Sequence, residues 1–319
     1  MKPASDITDF THALAATGSG GAVRLHADGA TALTAAPSRA RDFYELTKPR
    51  MNFLVVCTTA VGFYMAPHGG HWVALLHAIL GTVMTAASAS VLNQLIERSY
   101  DGLMPRTRNR PLPAGRIAPA EALWMGAILG VLGVAYLALM VNPLTALLGA
   151  TTLASYVWVY TPLKRVSSLN TIVGAVPGAI PPMMGWTAAT GALSPEAVAL
   201  FGILFLWQMP HFLAIAILYE RDYAAGGFKM LPVVDPGLRF TARMIVLYGL
   251  ALIPVSLMPV GVGMAGALYL TGATLMGLAF LSYCVSCAVS RDRIDARKLF
   301  FASIIYLPLL FALLMIDKR

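Results

Sequence analysis

Charge divides this chain into long apolar blocks. No Asp, Glu, Lys or Arg occurs from Met51 to Ile96, from Ala122 to Leu163, from Met244 to Ser290 or from Leu299 to Ile316. From Val166 to Tyr219 the only charge is Glu196. About 20 apolar residues span a bilayer core at ~1.5 Å rise each. Each of the four longer blocks therefore holds two spans and the last holds one, so the pattern predicts nine transmembrane helices. Each longer block breaks near its middle: at Ala66-Pro67-His68-Gly69-Gly70, at Val141-Asn142-Pro143, between Thr187 and Pro195, and at Pro259-Val260-Gly261.

Composition supports a membrane protein and excludes an ordinary soluble one. Of 319 residues, 58% are hydrophobic and 12% charged, whereas soluble domains are about 25% charged. The net charge is +8, and its placement predicts orientation. Basic residues fall before span one and in the loops after spans two, four, six and eight; the intervening loops have none. Only Lys318 and Arg319 lie on the other side. The expected topology puts the N-terminus in the cytoplasm and the C-terminus outside. Residues 1–42, rich in Ala, Ser, Thr and Gly, read as a disordered cytoplasmic tail without an apolar signal region. Residues 43–319 read as the membrane domain. Cys57, Cys284 and Cys287 read as small packing residues.

Acids are scarce. Between Arg50 and Asp235 there are only Glu97, Asp101, Glu121, Glu196, Glu220 and Asp222, and four of these fall at the cytoplasmic ends of spans two and six. Asn93, Glu97 and Asp101 are spaced i, i+4, i+8, which puts three oxygen-bearing side chains on one helix face over ~12 Å. Such a face suits Mg²⁺, which takes a few carboxylates and completes its shell with phosphate and water. Arg98, Arg106, Arg108, Arg110 and Arg116 follow, so acids for a metal and bases for phosphate oxygens share one segment. That combination points to a diphosphate ligand. A capped helix end with a positive-inside loop explains the arginines but not Asn93 and Glu97 on one face.

A second cluster reads Trp207-Gln-Met-Pro210-His211-Phe, then Glu220-Arg-Asp222-Tyr, then Lys229-Met-Leu-Pro232. It lies four spans after the first, which allows a parallel pseudo-repeat of four helices. Prolines 177, 181, 182 and 210 break helical hydrogen bonding, which is tolerated where backbone lines a cavity or packs on protein. An intramembrane histidine such as His211 is a functional candidate, with a structural bond to a neighbouring helix as the alternative. Lys164 and Arg165, in Tyr160-Thr-Pro-Leu-Lys-Arg, are either topology signals or further diphosphate ligands.

These motifs resemble the UbiA superfamily of intramembrane prenyltransferases, whose signature is Asn-x3-Asp-x3-Asp plus a second Asp-containing motif. The resemblance runs through Leu46-Thr-Lys-Pro-Arg50, Asn93 to Arg116, Tyr160 to Arg165, Trp207 to Phe212, and Asp222-Tyr with Met230-Leu-Pro232, in family order. Glu97 stands at the signature's middle Asp, as in the branch of the family that farnesylates haem. The second motif has one acid match, Asp222, with Gly226 four residues on. The resemblance implies an all-α bundle around a central cavity. It implies transfer of a farnesyl group from farnesyl diphosphate to a haem B vinyl group, with water addition. Mg²⁺ would sit on Asn93, Glu97, Asp101 and Asp222. Arg106, Arg110, Lys164, Arg165 and Lys229 would hold the diphosphate. His211 would contact haem through iron, a propionate or ring orientation. The implied setting is the bacterial inner membrane rather than the mitochondrial one. A haem A synthase or terminal oxidase is a candidate downstream partner, and nucleic acid is not expected. Two other readings are prenylation of a 4-hydroxybenzoate-like phenol and a secondary transporter.

Overall fold

The computed structural model describes residues 38–67 and 72–319. Most of the expected tail, and His68, Gly69 and Gly70 of the first expected break, lie outside these residues. Ser38 starts the described chain by accepting a hydrogen bond from Arg41 N at 3.3 Å, which caps α1 (Arg39–Leu46). Arg39, Arg41 and Asp42, at the end of the expected tail, are thus helical. Asp42 is buried and paired with Arg116 at 2.9 Å.

Lys48 turns the chain in a left-handed conformation, φ 48°, and Pro49 opens α2 (Pro49–Met65). Next come α3 (Trp72–Asp101) and α4 (Pro119–Met140). At 30 residues α3 is about 45 Å long, more than a ~30 Å bilayer core needs. Its last turns carry Asn93, Glu97 and Asp101.

Asn142 caps α5 (Pro143–Ala154), accepting from Thr145 N at 2.8 Å. The helix then widens into a π-helical segment, Ser155–Tyr160, and narrows again as α6 (Thr161–Val166). Pro162 accounts for the widening, because it has no N–H and its ring clashes with the carbonyl four residues back. α7 (Asn170–Ala179) and α8 (Pro181–Thr190) meet at a break where Pro181 and Pro182 cannot donate. α9 (Pro195–Leu218) contains Pro210 yet stays helical. Two short helices follow, α10 (Glu220–Ala225) and α11 (Leu231–Val234). Then come α12 (Arg239–Gly261), α13 (Ala267–Ser290) and α14 (Arg293–Ile316).

Six helices, α3, α4, α9, α12, α13 and α14, are long and apolar enough to cross a membrane. The other three expected spans are helical but shorter or segmented: α2 has 17 residues, and the others are α5 to α6 and α7 to α8. The breaks at 141–143 and 190–195 fall where expected. α12 runs through Pro254 and Pro259 and ends at Gly261, on the far side of the fourth break. Among the described residues there is no strand, only an isolated bridge between Ala265 and Lys318.

Packing is led by small residues. A Cβ on Gly62 would overlap the Pro182 carbonyl oxygen, and one on Gly185 would overlap the Thr59 carbonyl oxygen and lie 2.7 Å from Phe63 N. α2 and α8 thus meet backbone to backbone, as helices do where lipid supplies no hydrophobic drive to associate. The main apolar core joins α9, α12, α13 and α14, and includes Cys284 and Cys287. Cys284 and Cys287 are thus packing residues, Cys57 is half-buried, and all three thiols are free.

Candidate active site

Asn93, Glu97 and Asp101 lie on the buried face of α3, at 1%, 5% and 1% exposure. Asn93 and Glu97 are met by residues from distant segments, and Asp101 by one from the loop that follows α3. Lys48 Nζ donates to Asn93 Oδ1 at 2.8 Å, and Asn93 Nδ2 donates to Thr161 Oγ1 at 3.1 Å. Lys164 Nζ pairs with Glu97 Oε1 at 2.7 Å. Arg110 pairs with Asp101 Oδ2 at 2.7 Å. The second Asp101 oxygen, Oδ1, is enclosed and has no partner. A buried carboxylate oxygen left bare is costly unless something completes it.

The π-helical segment serves this arrangement. It delivers Thr161 to Asn93 and starts the turn that carries Lys164 and Arg165. Lys164 Nζ also lies 4.6 Å from the Tyr160 ring centroid. Arg165 covers the Tyr100 ring at 4.0 Å and donates to its hydroxyl. Lys229, expected to use its ammonium group, makes its described contacts through its backbone. Its N–H donates to Lys164 O at 2.7 Å, and its carbonyl accepts from Asn170 Nδ2 at 3.0 Å. The Lys229 side chain is exposed.

The second cluster reaches the first through aromatic rings. Arg106 lies 4.5 Å from the Tyr219 ring centroid and 5.6 Å from that of Tyr223. Met104, Phe228 and Met230 form one small core with Tyr100 and Tyr223 packed on it. Gly226 packs on Met104, where a Cβ would be 3.0 Å from its sulfur. The position lacking the second acid is thus a tight contact. Asp222 is half-buried and lines a recess of ≈ 360 Å³ with Glu220 and Arg293. Among the described residues no three His, Cys, Asp or Glu side chains converge to hold a metal ion. Glu97 and Asp101 are engaged by cations, and Asp222 stands on a different element. His211 lies apart, on α9 facing α14, with Nδ1 2.7 Å from Ser303 Oγ.

Sequence reasoning gave no site role to Lys48 or Asn170. Lys48 stood in a recognised motif but read as a topology charge. Burial, with the positive Arg110 and Lys164 nearby, pushes its ammonium pKa down to about 7. Its left-handed backbone was a possible signal only once the turn was known. Asn170 is fully buried and joins Ser167 O to Lys229 O.

The Glu97–Lys164 pair gives a direct prediction. Lys164→Met leaves a buried carboxylate without its cation and should cost about 3 kcal/mol. Adding Glu97→Gln should restore most of that loss, because no buried charge is then stranded. Thermal unfolding in detergent checks this, and additive effects of the two changes would refute the pairing.

Residues 54–305 match the model of the UbiA prenyltransferase family. The chain is 48% identical over 288 residues to a protein of Solibacter usitatus called protoheme IX farnesyltransferase, covering 87% of this chain and 99% of that one. It is 46% identical over 285 residues to the Myxococcus xanthus protein of the same name, covering 88% and 96%. Among solved structures it is similar to a digeranylgeranylglyceryl phosphate synthase, with TM-score 0.70 at 18% identity over 87% of this chain and 98% of that one. It is also similar to a UbiA homologue from Archaeoglobus fulgidus bound to DMAPP and Mg²⁺, with TM-score 0.61 at 17% identity over 86% and 99%.

Proposed function

This chain belongs to the UbiA prenyltransferase family, and we propose that it moves a farnesyl group from farnesyl diphosphate to a vinyl group of haem B, forming haem O. The observation that supports prenyl diphosphate chemistry is the buried acid face of α3, met by cations from two other segments. The choice of haem as acceptor rests on the named relatives. The protein is a multi-pass membrane enzyme. We place it in the bacterial inner membrane with nine spans, the N-terminus cytoplasmic and the C-terminus external.

The donor set fits a hard cation. It is all oxygen, and Asp101 Oδ1 is enclosed and unpartnered. Asn93, Glu97, Asp101 and Asp222 would hold Mg²⁺, which withdraws electron density from the diphosphate and so assists C–O cleavage. Lys164 and Arg110 neutralise the carboxylates. Once a diphosphate binds, they are placed to share its charge and to stabilise the departing anion, with Arg106, Arg165 and Lys229. The Tyr160 and Phe228 rings lie under Lys164, and the Tyr100 ring under Arg165. Exclusion of water matters because an allylic cation reached early by water would become farnesol. In the productive course the vinyl carbon forms the new C–C bond, the C–O bond to diphosphate breaks, and one water supplies hydroxide to the resulting cation and releases a proton. A haem A synthase or terminal oxidase would then take the product.

Purified protein given haem B and farnesyl diphosphate should make haem O with Mg²⁺ and none after chelation, and Mg²⁺ should restore the rate. Extraction and chromatography of haems reads this out. Prenylation of a small phenol in place of haem would overturn the choice of acceptor.

A further inference from the structure

One ridge of α14 changes character along its length. Arg293, Arg297, Phe301, Ile305 and Leu309 follow one another at i, i+4 spacing, and all five are exposed. Side chains four apart on a helix stand one above the other, about 6 Å apart along the axis. The ridge thus carries two guanidinium groups and then three apolar side chains, over about 24 Å. The apolar three belong to the charge-free block Leu299 to Ile316, in a helix long and apolar enough to cross a membrane. The arginines stand just before that block.

A recess of ≈ 170 Å³ opens where the ridge changes. Leu218 and Tyr219, at the end of α9, line one side, and Arg293, Arg297, Phe300 and Phe301 line the other. Arg293 is fixed there by donating to Leu218 O at 2.7 Å. Neither arginine is in an ion pair among the described residues. The acids of the same turns are engaged elsewhere. Asp292 Oδ1 accepts from Asp295 N at 2.8 Å and so caps α14. Asp295 pairs with Lys298 at 2.7 Å and accepts from Ser286 Oγ at 3.2 Å. Among the described residues no carboxylate lines this recess. Glu220 and Asp222 line the adjoining recess of ≈ 360 Å³, which shares Leu218, Tyr219 and Arg293 with it. An anion is therefore favoured on the Arg297 side and opposed on the other.

We infer that the recess between the end of α9 and the start of α14 binds the phosphate headgroup of an anionic membrane lipid. Arg293 and Arg297 hold the phosphate, and an acyl chain lies along Phe301, Ile305 and Leu309. Guanidinium groups meet phosphate oxygens through charge-assisted hydrogen bonds, often two at a time. A free phosphate would use the arginines alone. The apolar continuation of the ridge suits a ligand that joins its charge to a hydrocarbon chain. Basic recesses between membrane-spanning helices take anionic lipid headgroups on the same grounds. Arg293 also ties the site to α9, whose end leads to Tyr219 under the Arg106 guanidinium. A lipid seated here braces the contact between α9 and α14 beside the second motif.

The test uses the full chain, stripped of lipid in a neutral detergent and titrated with phosphatidylglycerol. Native mass spectrometry counts bound lipid, and Tm is followed in parallel. Wild-type protein should bind phosphatidylglycerol with a rise in Tm, and phosphatidylcholine at the same concentrations should do neither. Arg297→Gln keeps the tie from Arg293 to α9. It should unfold like wild type without lipid and bind phosphatidylglycerol about fivefold more weakly. Adding Arg293→Gln should bring the loss to about twentyfold. Arg239→Gln with Arg243→Gln removes the same charge from exposed positions at the start of α12 and should bind like wild type. Equal weakening by the two double variants would overturn the recess and leave only a general attraction to basic residues. The same rise in Tm with inorganic phosphate would overturn the lipid as ligand, and phosphatidylcholine bound as tightly as phosphatidylglycerol would overturn the part played by charge.

Discussion

Asp101→Ala is expected to abolish haem O formation while the protein still inserts into the membrane. Asp101 does two things at once. Its Oδ2 takes Arg110 at 2.7 Å, and its Oδ1 is enclosed with nothing bonded to it. Removing the carboxylate deletes a proposed metal ligand and frees Arg110 to swing from the position the diphosphate needs. A loss of at least about a hundredfold, roughly 2.7 kcal/mol of barrier, is expected. Asp101→Asn preserves shape and separates charge from packing; it should be nearly as inactive but unfold close to wild type. Asp222→Ala should also abolish the activity, although that carboxylate sits on α10 rather than α3. The measurement is haem O per unit of membrane-inserted protein. Wild-type turnover by Asp101→Ala would remove the acid face from the mechanism.

The second large effect concerns the fold. Gly62→Val and Gly185→Val should each destabilise the protein by about 3 kcal/mol or more, since backbone rather than a flexible side chain occupies the space. α2 follows directly on Lys48, so parting α2 from α8 also displaces the ammonium group from Asn93. The expected result is poor recovery of folded protein and a depressed Tm, with activity lost in proportion or more. Gly191→Ala serves as a contrast. A Cβ there meets nothing within 4 Å, so only its left-handed backbone, φ 71°, adds strain. Normal stability in both valine variants would show that α2 and α8 do not need this close approach.

Much of this protein was legible one residue at a time. A charge-free block long enough to span a bilayer has few other uses, so the blocks announced a membrane protein before any contact was known. The spacing of Asn93, Glu97 and Asp101 determined a shared helix face, because helical period is local. The structure keeps that face and buries it. Prolines marked the α7–α8 break, but not whether a helix would survive them, and the π-helical widening before Pro162 was not foreseen. α9 and α12 carry interior prolines and continue, since neighbouring helices hold them.

What the sequence determined by itself is the class of the protein, its apolar spans and the acid face with its family motif. Each follows from composition or from spacing within one helix. Only the tertiary structure decided which cation meets which acid. Lys48 reaches Asn93 across 45 residues, and His211 meets Ser303 across 92. It also tied the Lys229 backbone to Lys164 and Asn170. Such pairings depend on helix crossings and on where a loop closes, and these are set by packing across the whole bundle rather than by local period.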